Sequence, residues 1–370
     1  MAVTAEQMLP EVLAAYDFGG LIVGAPRFGK GHINDTFCVY AQDEEGDCLR
    51  WILQRISAAA FHHPDQLMQN IVGVTTHLRR AAEAAGRDPA RACLQVAPTR
   101  AGEDWYTDSE GGAWRVYPFV EGTRCLQAAE TPELFYASAV AFGQFQYMLR
   151  DYPADTLFET IERFHDTESR LAAFEQAAGA DALGRAKSAA AEIEFVRARR
   201  ADCSVALAAL REGRLPLRVT HNDTKLNNVL IDKASGEGIC IIDLDTVMPG
   251  LAINDFGDSI RFGANHCAED ERDLSKVSFD LALFETYTRG FLQGAQGSLT
   301  DAELDYLPWG ARLMTLECGI RFLTDYLAGD TYFHTQREGQ NLDRARTQFK
   351  LVRDMEEQWQ AMADAVRRCR

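Results

Sequence analysis

Short apolar and β-branched runs occupy the first third of the chain, and apolar positions spaced by three or four dominate the rest. Leu21 to Val23 and Thr36 to Tyr40 flank the glycines between Gly24 and Gly31, and Trp51 to Ile56 follows a turn at Gly46. These runs predict three strands of an antiparallel meander. Leu67, Ile71, Val74 and Leu78 predict a helix over Pro64 to Ala85, packed on that sheet. Leu94 to Pro98 and Trp114 to Phe119 are further strand candidates, after which Val120-Glu121-Gly122 breaks the pattern. A lobe boundary is therefore expected there, dividing the chain into residues 1–121 and 122–370. Helical patterns cover Thr131 to Arg150, Asp181 to Arg211, Val277 to Gln293 and Ala302 to Leu327, interrupted by one β-like island, Arg218 to Gly250. The fold class expected is α+β, a small β-rich N-lobe and a larger, mostly helical C-lobe.

Composition narrows the partners. The 370 residues include 38 Lys plus Arg against 55 Asp plus Glu, a formal charge of −17, and 46% are hydrophobic. Such a chain has ample core for about two domains, and its dispersed basic residues offer no cationic face to nucleic acid or to an anionic membrane. Met1 to Tyr16 carries Glu6 and Glu11 and lacks an apolar export segment, so a cytoplasmic protein without a membrane span is expected. Nine widely spaced cysteines without a Cys-x-x-Cys pair read as thiols in a reducing compartment. Nothing implies a protein partner.

The island holds the densest polar chemistry. His221-Asn222-Asp223-Thr224-Lys225-Leu226-Asn227-Asn228 precedes Val229-Leu230-Ile231, and a turn leads to Ile239-Cys240-Ile241-Ile242 and Asp243-Leu244-Asp245. The two apolar runs predict a hairpin, and the residue before its first strand lies at the same end as the residue after its second. Asn228 and Asp243 are therefore expected to converge, with Asp223 within reach. An amide and a carboxylate there supply hard oxygen ligands for Mg²⁺, leaving Asp223 to accept a hydroxyl proton.

His221-x-Asp223-x4-Asn228, followed by a hairpin and Asp243, resembles the catalytic loop and metal aspartate of the kinase fold. With Asn222 in place of the usual Arg, and Ile242-Asp243-Leu244-Asp245 at the strand end, it is similar to the aminoglycoside phosphotransferase and choline kinase-like group. Longer blocks look like the N-acetylhexosamine 1-kinases: Gly31-His32-Ile33-Asn34, Phe164-His165-Asp166-Thr167, Thr246-Val247-Met248-Pro249-Gly250, Asp255-Phe256-Gly257-Asp258 and Glu317-Cys318-Gly319-Ile320-Arg321-Phe322. The resemblance implies a two-lobed protein-kinase-like fold, with ATP between the lobes and phosphate transfer to the C1 hydroxyl of GlcNAc or GalNAc. Asp223 would be the base, and Asn228, Asp243 and Asp245 would hold Mg²⁺.

Two motifs mislead. Gly24-Ala25-Pro26-Arg27-Phe28-Gly29-Lys30-Gly31 nearly spells a Walker A loop, but it lacks the final hydroxyl and the helix that must follow. It fits a glycine-rich hairpin turn in which Gly29 and Gly31 approach ATP phosphates. Asp255-Phe256-Gly257 lies twelve residues past the hairpin end and fits a helix cap or a brace for the catalytic loop. Family kinases place a phosphate-binding lysine on a strand where this chain has Gln54, so Mg²⁺, Arg55 or Lys30 would supply charge instead; the departure also admits a non-catalytic pseudokinase. Phe119, Val120 and Glu121 stand where backbone groups would read adenine.

For the acceptor, Phe262 offers a flat apolar wall, and Arg321 is a lone charge in an apolar helical stretch. By resemblance Arg321 would bind sugar oxygens, helped by His32 and Tyr332. The competing arrangement pairs Arg321 with Glu317, four residues earlier on the same helix face. An aminoglycoside or choline-like acceptor would call instead for a cluster of carboxylates.

Overall fold

A computed structural model describes residues 3–29, 33–128 and 130–370. The chain opens with helix α1 (Ala5–Ala14), then strands β1 (Leu21–Gly24), β2 (Asp35–Gln42) and β3 (Cys48–Arg55). Helices α2 (Pro64–Ala84) and α3 (Pro89–Ala92) precede β4 (Tyr106–Thr107) and β5 (Ala113–Pro118). These strands form one five-stranded antiparallel sheet in the order β1-β2-β3-β5-β4. The expected strand over Leu94 to Pro98 is extended chain instead, although the Ala97 N–H still donates to the Val116 carbonyl at 2.9 Å.

The two faces of this sheet do different work, because successive side chains in a strand point to opposite sides. Phe37, Val39, Leu53, Trp114 and Val116 pack with Met8 and Val12 of α1 into a separate small core. The other face carries Ile56, Ala113 and Tyr117, which share the main core with Leu67, Ile71, Val74 and Leu78 of α2. Helix α2 thus packs on the sheet as expected and also ties it to the C-terminal core. Arg115 and Gln54 are opposite each other in the β3–β5 register, next to this inner group.

Beyond Gly122 the chain enters β6 (Thr123–Arg124), which pairs with the later hairpin and not with the first sheet. Helices α4 (Pro132–Met148), α5 (Thr167–Ala180), α6 (Ala190–Arg197) and α7 (Val205–Arg211) lead to β7 (Arg218–Thr220). The helical pattern over Asp181 to Arg211 is therefore broken into α6, a 3-10 turn and α7. The hairpin is β8 (Val229–Asp232) and β9 (Gly238–Ile241), and β10 (Met248–Gly250) returns to pair with β7. Helices α8 (Ala252–Gly263), α9 (Leu281–Ala295), α10 (Asp301–Ala328), α11 (Gln340–Glu357) and α12 (Trp359–Cys369) complete the chain. No helix among the described residues is long and apolar enough to cross a membrane, and all nine thiols are free.

Helices α8 and α10 cross at van der Waals distance through glycines. A Cβ at Gly257 would lie 2.2 Å from the Gly310 carbonyl oxygen, and one at Gly310 would lie 2.1 Å from the Ile253 carbonyl oxygen. Only hydrogen fits there. Gly310→Ala is expected to pry the helices apart and cost about 1–3 kcal/mol, read as a lower urea midpoint. An unchanged midpoint would show that the crossing is looser than described.

Candidate active site

The segment His221 to Asn228 is held from below by α8. The Asp255 carboxylate accepts the backbone N–H groups of His221 (2.9 Å) and Asn222 (2.8 Å) and the Gln146 side-chain amide (2.8 Å). Burial pushes its carboxyl up, and those donors oppose the shift. Asp258 accepts the Thr224 N–H at 3.1 Å and pairs with Arg261 at 2.9 Å. Both aspartates therefore brace the loop, the role their distance from the hairpin end suggested.

His221 is fully buried, edge-on to Phe142 and Phe145. Its Nε2 is 2.9 Å from the Ile242 carbonyl and its Nδ1 accepts the Asp223 N–H at 3.3 Å, an assignment that puts the ring proton on Nε2. Asn222 adopts a left-handed conformation (φ 64°), which asparagine tolerates better than most residues, and its amide donates to the Thr246 carbonyl at 2.8 Å. The position is a buried backbone clamp, which explains why no arginine occupies it.

The hairpin brings its end residues together as predicted. Val229 pairs with Ile241, and the Ile242 N–H donates to the Asn228 carbonyl at 2.9 Å, so Asp243 emerges beside Asn228. Asn228 Nδ2 donates to the Asp223 carbonyl (2.8 Å) and to Asp223 Oδ2 (3.1 Å). Asp223 Oδ1 contacts Lys225 Nζ at 2.7 Å. Burial alone would lower the Lys225 pKa, but Asp223 outweighs it and holds the ammonium charged. Lys225 was quoted in the motif without a role, and only the side-chain contact reveals one.

Asp243 is exposed to solvent, yet protein atoms crowd around its carboxylate. That crowding, with Asp245 and Asp223 nearby, pushes its carboxyl up to about 6. With its amide nitrogen turned to Asp223, Asn228 keeps Oδ1 free of a donor among the described residues. An amide oxygen beside a carboxylate that has no ion-pair partner among the described residues could hold a hard divalent cation whose remaining ligands are water and phosphate.

Asp245, expected as an additional ligand, is placed differently. It is buried, its Oδ1 lies 2.5 Å from Arg115 Nη1, and its Oδ2 accepts the Asn34 side-chain amide. The Arg115 contact is an ion pair without hydrogen-bond alignment. Among the described residues no group of three or more His, Cys, Asp and Glu side chains is arranged around a metal. Asn228 and Asp243 are then the residues of this hairpin end that could hold a cation.

Gln54, half-buried on β3, accepts two bonds from Arg115 (3.1 and 2.9 Å) and donates to Thr36 Oγ1 at 3.1 Å. Arg55 turns instead toward Asp108. Gly29 has φ 81° and open space around its Cβ position. Gly31, Lys30 and His32 lie outside the described residues. In the linker after β5, the Phe119 N–H, the Val120 carbonyl and the Glu121 carbonyl are committed to Arg50, Thr123 and Arg91. The Phe119 carbonyl and the Val120 and Glu121 N–H groups have no partner among the described residues. The Phe119 ring is covered by Arg50 (3.9 Å) and edged by Phe28 (5.9 Å).

Arg321 does not pair with Glu317. Glu317 is buried between His165 Nδ1 (2.9 Å) and Thr167 Oγ1 (2.5 Å), and His165 Nε2 continues to the Asn222 carbonyl at 3.2 Å. Burial opposes charge on both groups, yet their mutual attraction lowers the Glu317 pKa and raises that of His165. Arg321 instead lies over the rings of Phe164 (5.6 Å), Tyr332 (5.8 Å) and Phe333 (5.5 Å), and donates weakly to the Tyr332 hydroxyl at 3.4 Å. Tyr332 is thus where expected, while Phe262 packs on the main core at the end of α8. Arg170, missed in the sequence, has a buried Nε without a partner; burial, then Arg321, lowers its pKa.

The architecture matches known proteins throughout. A phosphotransferase enzyme family profile (APH) covers residues 24–291. The chain belongs to this family. Among solved structures it is similar to an aminoglycoside phosphotransferase from Alicyclobacillus acidocaldarius, at 15% identity and TM-score 0.59, covering 100% of this chain and 96% of that one. It is also similar to an amicoumacin kinase solved with AMP-PNP and Ca²⁺, at 17% identity and TM-score 0.56, covering 96% and 94%. A choline/ethanolamine kinase family protein from Mesorhizobium loti matches at 18% identity and TM-score 0.52, covering 93% and 92%. The fold is the kinase-like fold these proteins share, and membership of the family makes the chain a small-molecule kinase that phosphorylates a hydroxyl.

Proposed function

We propose that this kinase transfers the γ-phosphoryl group of ATP to the anomeric hydroxyl of an N-acetylhexosamine, GlcNAc or GalNAc, with residues 1–121 as the nucleotide lobe. The carrying observation is the Asp223 carboxylate, positioned by Asn228 and Lys225 at the hairpin end that presents Asp243. Asp223 orients the acceptor hydroxyl and takes its proton as the acceptor oxygen bonds to the γ-phosphorus. The bond to the β–γ bridging oxygen breaks, and ADP leaves with that oxygen. Asn228 and Asp243 would hold Mg²⁺, which would offset charge on the phosphates. Lys225, next to the same carboxylate, holds Asp223 in place through its contact with Oδ1. Gly29 and the free backbone groups of Phe119 to Glu121 are assigned to the nucleotide.

The choice of acceptor rests on charge and on the resemblance. Arg321 is close enough to Arg170 to add to the lowering of the Arg170 pKa by burial, and no described carboxylate forms an ion pair with Arg321. A cationic amine is disfavoured beside two arginines, whereas neutral sugar oxygens and an acetamido carbonyl accept hydrogen bonds from them. Arg321→Ala is expected to raise the sugar KM about tenfold or more while the ATP KM stays near wild type. A lower melting midpoint with an unchanged sugar KM would make the residue structural.

The deciding experiment is Mg-ATP turnover with GlcNAc, GalNAc, glucose, choline and kanamycin, with phosphorus NMR locating the phosphate. Turnover confined to the acetamido sugars with phosphate on C1 supports the proposal. Turnover on choline or kanamycin alone overturns it, and folded protein that binds ATP without turnover indicates a pseudokinase.

A further inference from the structure

We infer that Arg115 supplies, from β5, the fixed positive charge that kinase-like sites carry as a lysine on β3, and that it acts on the nucleotide through Gln54. The inference rests on the nucleotide site proposed above and names a positioning residue within it. Arg115 is 1% exposed, among the largest fully buried side chains of the protein. A guanidinium stays charged at any physiological pH, so burying one is costly unless its surroundings compensate. Its compensation is specific. Nε and Nη2 both donate to Gln54 Oε1, Nη1 faces Asp245 at 2.5 Å, and the Tyr117 ring lies 5.4 Å from the guanidinium carbon.

The antiparallel register explains this cluster. Thr36, Gln54 and Arg115 are direct cross-strand neighbours on β2, β3 and β5, on the same side of the sheet. Two donors on Oε1 and one acceptor at Thr36 leave a single orientation of the Gln54 amide, with the NH₂ end directed away from Arg115. One Nε2 hydrogen goes to Thr36. The other has no acceptor among the described residues and is available to a phosphate oxygen. Because Oε1 already accepts two charge-assisted bonds, Nε2 is polarised into a stronger donor than an isolated amide.

The same geometry explains why a lysine is absent from β3. An ammonium at position 54 would meet the Arg115 guanidinium across the strand pair at hydrogen-bonding distance, like charge against like charge, while the ion-pair partner of Arg115, Asp245, is already engaged. The cation has moved one strand over, and the neutral amide transmits it.

The test is a charge swap read by affinity for Mg·AMP-PNP, measured calorimetrically without any sugar. Arg115→Gln is expected to weaken that affinity about tenfold or more. Gln54→Lys alone lowers the melting midpoint and gains no affinity. Combining Gln54→Lys with Arg115→Gln restores affinity to within about threefold of wild type, since the cation then stands on β3; this is a strongly non-additive cycle. Arg115→Lys retains part of the affinity. Losses that simply add in the double variant, or an unchanged affinity in folded Arg115→Gln, overturn the inference. Should Arg115→Gln fail to fold, the double variant decides: wild-type-like affinity supports the inference, and failure to bind overturns it. Wild-type protein that does not bind Mg·AMP-PNP overturns the nucleotide site itself, which keeps the two failures distinct.

Discussion

Asp223→Asn is expected to reduce turnover about 10²–10⁴-fold while the protein stays folded and keeps its affinity for Mg·ATP. The carboxylate is held at both oxygens by donors, Lys225 Nζ on Oδ1 and Asn228 Nδ2 on Oδ2. An amide of the same shape keeps one of these contacts and sets its own NH₂ against the other donor, a local loss of about 1–3 kcal/mol that a protein of this size tolerates. What it cannot do is accept the acceptor proton. Turnover within threefold of wild type would remove Asp223 from the base role, and a collapse of the melting transition would make it a structural brace.

Asp243→Asn is expected to abolish most activity, about 100-fold or more, and yet to raise stability in metal-free buffer near neutral pH. The sign follows from the carboxyl being pushed up to about 6 by crowding, Asp245 and Asp223, above the ordinary 3.8. The folded state then binds the proton more tightly than the unfolded chain, so stability contributed by this group is full below about 4 and is lost as pH rises through about 6. An asparagine removes the repulsion. The melting midpoint of the variant in EDTA is therefore expected to exceed wild type at pH 7.5 and to converge with it by pH 4. Added Mg²⁺ should stabilise wild type at pH 7.5 and leave the variant unmoved. A variant less stable than wild type in EDTA at pH 7.5 would show that Asp243 is compensated by the protein alone.

The convergence of Asp223, Asn228 and Asp243 at one hairpin end is legible in the sequence because it depends on local geometry. Asn228 and Asp243 flank two apolar runs joined by a short turn, and an antiparallel hairpin leaves no other place for its ends than side by side. Asp255 is legible as a helix cap or a brace and not as part of that end for the same reason: it lies twelve residues further along the chain. The early strands and helices α2, α4, α9 and α10 followed from apolar spacing. Helices α1, α5 and α8 did not. Helix α5 mixes polar and small residues around its circumference, and α8 carries buried Asp255, Asp258 and Arg261 on faces that apolar spacing alone would expose.

The linear sequence determined which chemistry is present: a loop aspartate, an amide and carboxylate at a hairpin end, and a third strand carrying Gln54. The partners of the charged groups were decided by tertiary structure alone. Glu317 stands one helical turn from Arg321, yet it is claimed by His165 and Thr167 from the segment before and at the start of α5. Asp245 stands two residues from Asp243, yet it is claimed by Arg115 from the first sheet. A buried charge takes the partner that also satisfies its hydrogen bonds, and that partner arrives from whichever element packing delivers, at a sequence separation that no local pattern encodes.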